Sequence, residues 1–279
     1  MQNIVYIGNR KSIVEEIDKH PHFNLIKVFF LKDAGSISTR NSEITLFDKN
    51  DFSLIHDFLQ KKNYDICASG GCPFILPVDQ YDSGRIFINS HPSLLPFGKG
   101  IHPINEVFLS GRESFGSTVH FLTNKLDGGD IIEQAQFKLT NELDVSLVYS
   151  FIFKFEADVF RLALDQLSQT SDLKATKQDD HGTYYSRKPG DEILNPASDC
   201  SEIFLRKIKA FSSKNLGAAL PLGENLLRVF HAEKISSVEL IKYLPPLKVG
   251  DITKIPNTDY IAVRLKDGYL VIKSWFEGK

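Results

Sequence analysis

Short apolar runs alternate with amphipathic stretches along the first two thirds of the chain. Ile4–Ile7 reads as a buried strand closed by Gly8 and Asn9, after which Ile13, Val14 and Ile17 recur at helical spacing. Further strands are expected in Leu25–Leu31, near Ile44–Phe47, and over Tyr64–Ala68 and Ile86–Asn89, with a helix over about Asp51–Lys62. Strands alternating with helices in this way predict an α/β layer with a mostly parallel sheet covered on both faces. A helix near Ile104–Leu109 and strands around Ser117–Leu122 and Ile131–Phe137 follow. A long helix then runs from Asp144 to about Leu167, with Leu147, Phe151, Phe155, Val159 and Leu162 as its apolar stripe.

The polar segment Gln169–Gly182 interrupts this pattern and marks a boundary. Beyond it the character changes. One helix, about Glu202–Phe211, precedes β-like runs at Leu226–Phe230, Tyr260–Leu265 and Leu270–Trp275, the last two joined by an Asp267-Gly268 turn. The division is therefore a larger α/β domain over residues 1–180 and a smaller, β-rich C-terminal domain over 183–279.

Length agrees with two domains: 279 residues, against roughly 150 per domain. A composition of 42% hydrophobic residues excludes a disordered or collagen-like chain. The 33 basic and 35 acidic side chains leave a net charge of −2, which argues against a protein whose main business is gripping phosphate backbones. The C-terminal segment carries a mild positive surplus, with eleven Lys and four Arg against eleven acidic residues. Three cysteines, Cys67, Cys72 and Cys200, suit a reduced cytoplasmic protein, and no second pair completes a zinc site, so no metal is expected. The N-terminus lacks the apolar region of a secretory signal. Runs such as NLIKVFFL fall short of the roughly 20 residues a spanning helix needs, so no membrane association is expected.

The first strand leads into IGNRKS rather than a G-x-G-x-x-G turn, so no dinucleotide is assumed. The informative stretch is Ile88-Asn-Ser-His-Pro-Ser-Leu-Leu-Pro96. Asn89 and His91 sit two apart at the carboxyl edge of a strand and point to the same side. That edge is where open α/β sheets bind ligands. Pro92 and Pro96 restrict the chain that follows. Alone, N-x-H is a weak signal. The second element, GSTVHFLTNKLDGGDII over Gly116–Ile132, strengthens it, because Asp127 precedes the flexible pair Gly128-Gly129. An Asn, a His and an Asp converging on one crevice supply an oxyanion donor, a proton-transfer group and an orienting charge.

These motifs resemble those of the formyltransferases that use 10-formyltetrahydrofolate. The match consists of Asn89, His91, Ser93-Leu94-Leu95-Pro96 and Asp127-Gly128-Gly129. The resemblance implies a Rossmann-like catalytic domain over 1–180 and a donor, 10-formyltetrahydrofolate, whose formyl carbon is attacked by an amine to give a tetrahedral intermediate. It implies that Asn89 donates to the oxyanion, that His91 assists charge stabilisation and proton transfer, and that Asp127 orients His91 or a water. It also places the pterin against the loop Ser69–Pro77 (SGGCPFILP), with Phe74, Ile75 and Leu76 as candidate walls or, alternatively, core residues. Gly128, Gly129 and Asp130 join them as candidate folate contacts.

Three branches of the resembled family differ in the amine. The glycinamide ribonucleotide enzymes are usually single domains, which the extra C-terminal piece disfavours. Methionyl-tRNA formyltransferases carry a basic loop after the second strand, where this chain has Lys32–Ser42 with only Lys32 and Arg40. RNA would want more positive charge. The remaining branch formylates nucleotide-linked amino deoxysugars (UDP- or dTDP-linked) for bacterial surface glycans such as O-antigen, and it is the expected function. The run Thr183–Glu192 resembles the start of the C-terminal domain in both this branch and the tRNA branch, whereas Ser213–Ala218 departs from them. Lys99, Tyr185 and Arg187 are candidate nucleotide or diphosphate contacts, and His102 a candidate sugar contact or helix-entry residue. By the same analogy the expected partner is a second copy, as a homodimer; nucleic acid is not expected. A 10-formyltetrahydrofolate hydrolase is a competing class, disfavoured because such enzymes carry a regulatory domain ahead of the first catalytic strand. A non-catalytic folate or nucleotide binder is disfavoured by the intact Asn89, His91 and Asp127.

Overall fold

The computed structural model describes every residue except 62, 82, 170–174, 180, 214, 215 and 279. In chain order the elements are β1 (Gln2–Gly8), α1 (Lys11–Lys19), β2 (Phe23–Leu31), β3 (Glu43–Phe47), α2 (Phe52–Lys61), β4 (Ile66–Gly70) and β5 (Ile86–His91). Then come α3 (Pro103–Ser110), β6 (Ser114–Phe121), β7 (Ile131–Lys138) and α4 (Val145–Gln169). The remainder holds α5 (Ser201–Phe211), β8 (Ala218–Leu222), β9 (Asn225–Lys234), α6 (Val238–Tyr243), β10 (Ile252–Lys254), β11 (Ile261–Leu265) and β12 (Gly268–Gly278). The expected end of α2 at Lys62 and the centre of the expected boundary lie outside the described residues.

The chain divides into two compact units. The first comprises Met1–Gly100, Ser114–Lys138 and Phe151–Tyr185; the second comprises Ile101–Glu113, Leu139–Ser150 and Ser186–Lys279.

The first unit is built on a seven-stranded sheet in the order β3-β2-β1-β4-β5-β6-β7. β1 to β5 are parallel, β6 runs antiparallel to them, and β7, antiparallel to β6, returns to their direction. Alternate residues of β1 enter opposite cores: Ile4 and Tyr6 join Ile13, Val14, Phe30, Ile88 and Phe160, whereas Val5 and Ile7 join Phe29, Phe47, Ile55 and Leu59. Being buried on both faces explains why the central strands read as continuous apolar runs. Ile13, Val14 and Ile17 are fully buried, as their spacing predicts.

The stripe expected on α4 holds in its middle, where Val159 is buried and Phe151 and Phe155 are half-buried, and is displaced at its ends. Leu147 and Leu162 are exposed, while Val148, Ile152, Glu156, Phe160, Ala163, Leu164 and Leu167 are buried. Glu156 is the reason. A fully buried carboxylate in the middle of the true stripe makes it look polar, and only its partner, Arg10, makes that burial tolerable.

The second unit has a five-stranded antiparallel sheet, order β10-β11-β12-β9-β8, covered by α5 through Phe204, Ile208 and Phe211. The β11–β12 hairpin closes one residue earlier than expected. Leu265 pairs with Gly268, so Lys266-Asp267 is the two-residue turn, and the Asp267 carboxylate accepts hydrogen bonds from the Ser201 backbone N–H and hydroxyl. β8, α6 and β10 had no clear signal. β8 ends in Pro221-Leu222 without alternation, β10 has three residues, and α6 is a single short helix capped by Ser237. Among the described residues no helix is long and apolar enough to cross a membrane.

Candidate active site

The carboxyl end of β5 presents Asn89 and His91 on one face and Ser90 on the other, as a pleated strand requires. The register places Ser69 of β4 and His120 of β6 on either side of Asn89, and Thr118 beside His91. Ser69 Oγ donates to Asn89 Oδ1 at 2.7 Å, which turns the Asn89 Nδ2 group toward His120 Nε2 at 3.2 Å. His120 Nδ1 lies 2.8 Å from the Phe121 carbonyl oxygen, so it carries the proton and Nε2 is the acceptor. This chain of bonds assigns the Asn89 amide one orientation, with its second N–H left to meet a ligand.

Burial lowers the proton affinity of His120 most strongly. The carboxylate of Asp127 opposes this, and the neighbouring His91 and Lys99 add to it. His120 is therefore a neutral acceptor at physiological pH.

His91 is buried, and its Nε2 lies 2.8 Å from the Gly98 carbonyl oxygen, which fixes the N–H on Nε2. Nδ1 then faces Asp127 Oδ1 at 3.9 Å. The same oxygen is 3.9 Å from His120 Nε2. Asp127 Oδ2 is held by the Gly100 N–H at 2.9 Å. Asp127 itself has φ of 48°, a left-handed conformation that Asp tolerates better than most residues. The glycine after its neighbour is forced: a Cβ on Gly129 would lie 1.8 Å from the Phe121 carbonyl oxygen.

Two bare acceptors, His91 Nδ1 and Asp127 Oδ1, thus face each other across a gap too long for a direct hydrogen bond. Such a gap suits an N–H donor, and the imidazole can take a proton there while its Nε2 stays anchored.

A cleft opens beside this cluster, lined by Ser69, Cys72, Phe74, Ile75, Leu76 and Leu122, together with Thr123, Lys125, Leu126, Asp127 and Asn89. The three expected wall residues are all there, in different states. Leu76 is buried, Phe74 packs against Phe47 and Phe52, and Ile75 is 67% exposed. Gly128, Gly129 and Asp130 do not line the cleft. Gly129 serves the close approach to Phe121, and Asp130 is exposed, giving its carbonyl to the Phe121 N–H.

Of the expected substrate contacts, Lys99 and Tyr185 are joined in the first unit, where the Tyr185 N–H donates to the Lys99 carbonyl oxygen. The Lys99 side chain is buried, with its ammonium 5.4 Å from the Tyr184 ring, and no carboxylate among the described residues pairs with it. His102 and Arg187 meet in the second unit. The Arg187 N–H donates to His102 Nδ1 at 3.2 Å, and burial together with the Arg187 charge lowers the His102 pKa. The Arg187 guanidinium is already engaged by Glu192 and by the face of Phe211. The residues that sequence reasoning missed are Ser69 and His120. Their only signal was strand register, since each becomes a neighbour of Asn89 only when β4, β5 and β6 are paired.

Residues 38–164, which include Asn89, His91, His120 and Asp127, match the formyl transferase family model. This stretch is similar to a formyl transferase domain. The domain resembles that of the methionyl-tRNA formyltransferase of Wolbachia pipientis, with 31% identity over 146 residues, covering 52% of this chain and 46% of that protein. The chain thus spans about half the length of this curated relative. Similarity of fold extends further. The N-formyltransferase of Helicobacter canadensis, solved with folinic acid and dTDP-3-aminofucose, superposes with a TM-score of 0.74 at 18% identity, over 99% of this chain and 100% of that one. WlaRD, a sugar 3N-formyl transferase solved with dTDP and 5-N-formyl-THF, gives 0.74 at 20% identity, over 99% and 98%. Among the described residues no cluster of His, Cys, Asp or Glu could hold a metal ion.

Proposed function

We propose that the chain transfers a formyl group from 10-formyltetrahydrofolate to the amino group of a nucleotide-linked amino deoxysugar. The observation that carries the chemistry is that Asn89 and Asp127 line one apolar-walled cleft, with His91 Nδ1 3.9 Å from Asp127 Oδ1. The cleft suits a flat heteroaromatic ring: Phe74, Ile75, Leu76, Leu122 and Leu126 are its walls, and Ser69 and Asn89 also line it. Bound there, the donor would supply an electrophilic formyl carbon.

The residues of this chain divide the work. Asn89, its orientation locked by Ser69 and His120, donates the N–H that faces away from His120 to a carbonyl oxygen gathering charge. Asp127 attracts the incoming amine and keeps its N–H groups directed between itself and His91. His91 accepts the amine's proton at Nδ1, the resulting imidazolium being stabilised by the Asp127 carboxylate and anchored by Gly98, and that proton goes to the donor nitrogen as its bond to the formyl carbon breaks. Gly100 N–H prevents Asp127 from rotating away.

For the amine, three observations favour a nucleotide sugar. The fold matches those of the two sugar N-formyltransferases along nearly the whole chain, whereas the tRNA relative is matched over less than half its length. Lys32–Ser42 offers two cations rather than a basic loop. Lys99 is a buried cation without a carboxylate partner among the described residues, which suits an anionic group such as a diphosphate. The UDP or dTDP base and the sugar carbon bearing the amine follow from the test. Initial rates are measured with UDP- and dTDP-linked 3-amino and 4-amino deoxysugars, glycinamide ribonucleotide and charged initiator tRNA. Turnover is expected with an amino sugar. Turnover with the tRNA alone overturns the reading, and equal consumption of the donor without any amine points to a hydrolase.

A further inference from the structure

Thr176, Gln178, Gly182 and Thr183, in the first unit, touch both loops that hold the candidate catalytic groups. Thr176 and Ile131 exchange backbone hydrogen bonds of 2.8 and 2.7 Å, which docks the segment beside the Asp127 turn. Two residues on, the buried Gln178 side chain inserts into that turn, where its Nε2 group donates to the Asp127 carbonyl oxygen at 3.0 Å and to the Gly129 carbonyl oxygen at 2.5 Å. Further along, Gly182 lies so close to Pro96 that a Cβ would stand 2.3 Å from its carbonyl oxygen. Thr183 Oγ1 accepts from the Gly98 N–H, and the Thr183 carbonyl accepts from the Lys99 N–H. Gly98 is the residue whose carbonyl anchors His91, and Gly100 is the one whose N–H holds Asp127.

We infer that Gln178 is a positioning residue that sets Asp127 against His91, an assignment that rests on the formyl-transfer reading of the site. Asp127 sits at φ of 48°, a conformation that costs energy and needs the surroundings to hold it. An amide donating to the carbonyls on both sides of Gly128 does this directly. It ties the two ends of the turn to one group, so the Asp127 backbone that aims the carboxylate cannot leave its left-handed conformation without breaking two buried hydrogen bonds. Gln178 is far from the Asn-x-His and Asp-Gly-Gly motifs in sequence and lies beyond the stretch that matches the family model. It never reaches the reacting atoms itself. Its effect falls on the 3.9 Å gap between His91 Nδ1 and Asp127 Oδ1, where displacement of the carboxylate by a fraction of its own size spoils proton transfer.

The test uses the full chain carrying Gln178→Met, which keeps the volume and removes both donors, and Gln178→Asn, which keeps an amide on an arm one carbon shorter. Each is checked for folding by circular dichroism. Formyl transfer to the amino sugar used best by the wild type should lose about 100-fold in kcat, with KM for the amine unchanged. A second readout needs no substrate: the NMR chemical shift of the Gly100 amide, which donates to Asp127 Oδ2. With Asp127→Ala as reference, that shift in both variants should move from the wild-type value toward the reference. Wild-type kcat together with a wild-type Gly100 shift, in either folded variant, overturns the inference; so does a loss confined to thermal stability. If the wild type transfers no formyl group, the proposed function fails by itself, and the Gly100 shift still decides the role of Gln178.

Discussion

The two faces of β5 are built on opposite plans. On the back, Ser90 donates to Glu156 at 3.0 Å, Arg10 donates to the same carboxylate at 2.8 Å, and the Arg10 guanidinium stacks on Phe153 at 3.9 Å. Tyr6 closes this network by donating to Gly70 and accepting from the Arg10 N–H. Burial raises the Tyr6 pKa far out of the physiological range, so its hydroxyl keeps its proton. On the front, beside the Asn89 amide, Asp127 Oδ1 stands 3.9 Å from both His91 Nδ1 and His120 Nε2, too far for a direct hydrogen bond. One residue separates the two arrangements along the strand. A satisfied network holds the strand still, and an unsatisfied one on the other side waits for a ligand. Rigidity behind and open valence in front are what preorganisation looks like at the level of a single strand.

Substitutions on each face should separate stability from chemistry. The largest effect is expected at the front: Asn89→Ala and Asp127→Asn should each cost about 10²–10⁴-fold in formyl transfer with little change in unfolding free energy. Near-wild-type initial rates in either would erase the distinction between the faces. At the back, Arg10→Met leaves a fully buried carboxylate without its cation, and urea unfolding should show a loss of about 3–5 kcal/mol. The double variant Arg10→Met/Glu156→Leu should recover most of that loss, because an apolar pair of similar volume replaces the charges. Failure of the double variant to recover would mean that the pair fixes the strand specifically rather than merely satisfying itself.

The smallest effect concerns pH. Burial lowers the His120 and His102 pKa values, so the unfolded chain takes up protons first. Stability contributed by these groups is complete above the unfolded value of about 6.5 and declines as pH falls below it. His120→Asn should therefore flatten the decline in melting temperature between neutral and mildly acidic pH. Equal slopes in variant and wild type would remove His120 as a buried neutral acceptor.

The sequence carried the α/β layering, the strand bearing Asn89 and His91, and the turn bearing Asp127, because each depends on short-range spacing. It misplaced the ends of the α4 stripe, since Glu156 reads as polar until Arg10, 146 residues away, is seen to pair with it. Gly128-Gly129 read as a ligand approach, whereas the close approach at Gly129 is to Phe121. His120 lay in plain view, seven positions before Asp127, without a local pattern to distinguish it from any strand residue.

Periodicity of apolar residues and the chemistry of the N-x-H and D-G-G motifs were thus determined by the chain alone, because they arise within one strand or one turn. Which nitrogen of His91 carries the proton, how the Asn89 amide is turned, and what holds Asp127 at its left-handed backbone were decided only by tertiary structure. Those properties depend on hydrogen bonds among β4, β5 and β6, on the Gly98 carbonyl in the loop after β5, and on a segment some 50 residues beyond Asp127, and strand register and burial exist only once the sheet has formed.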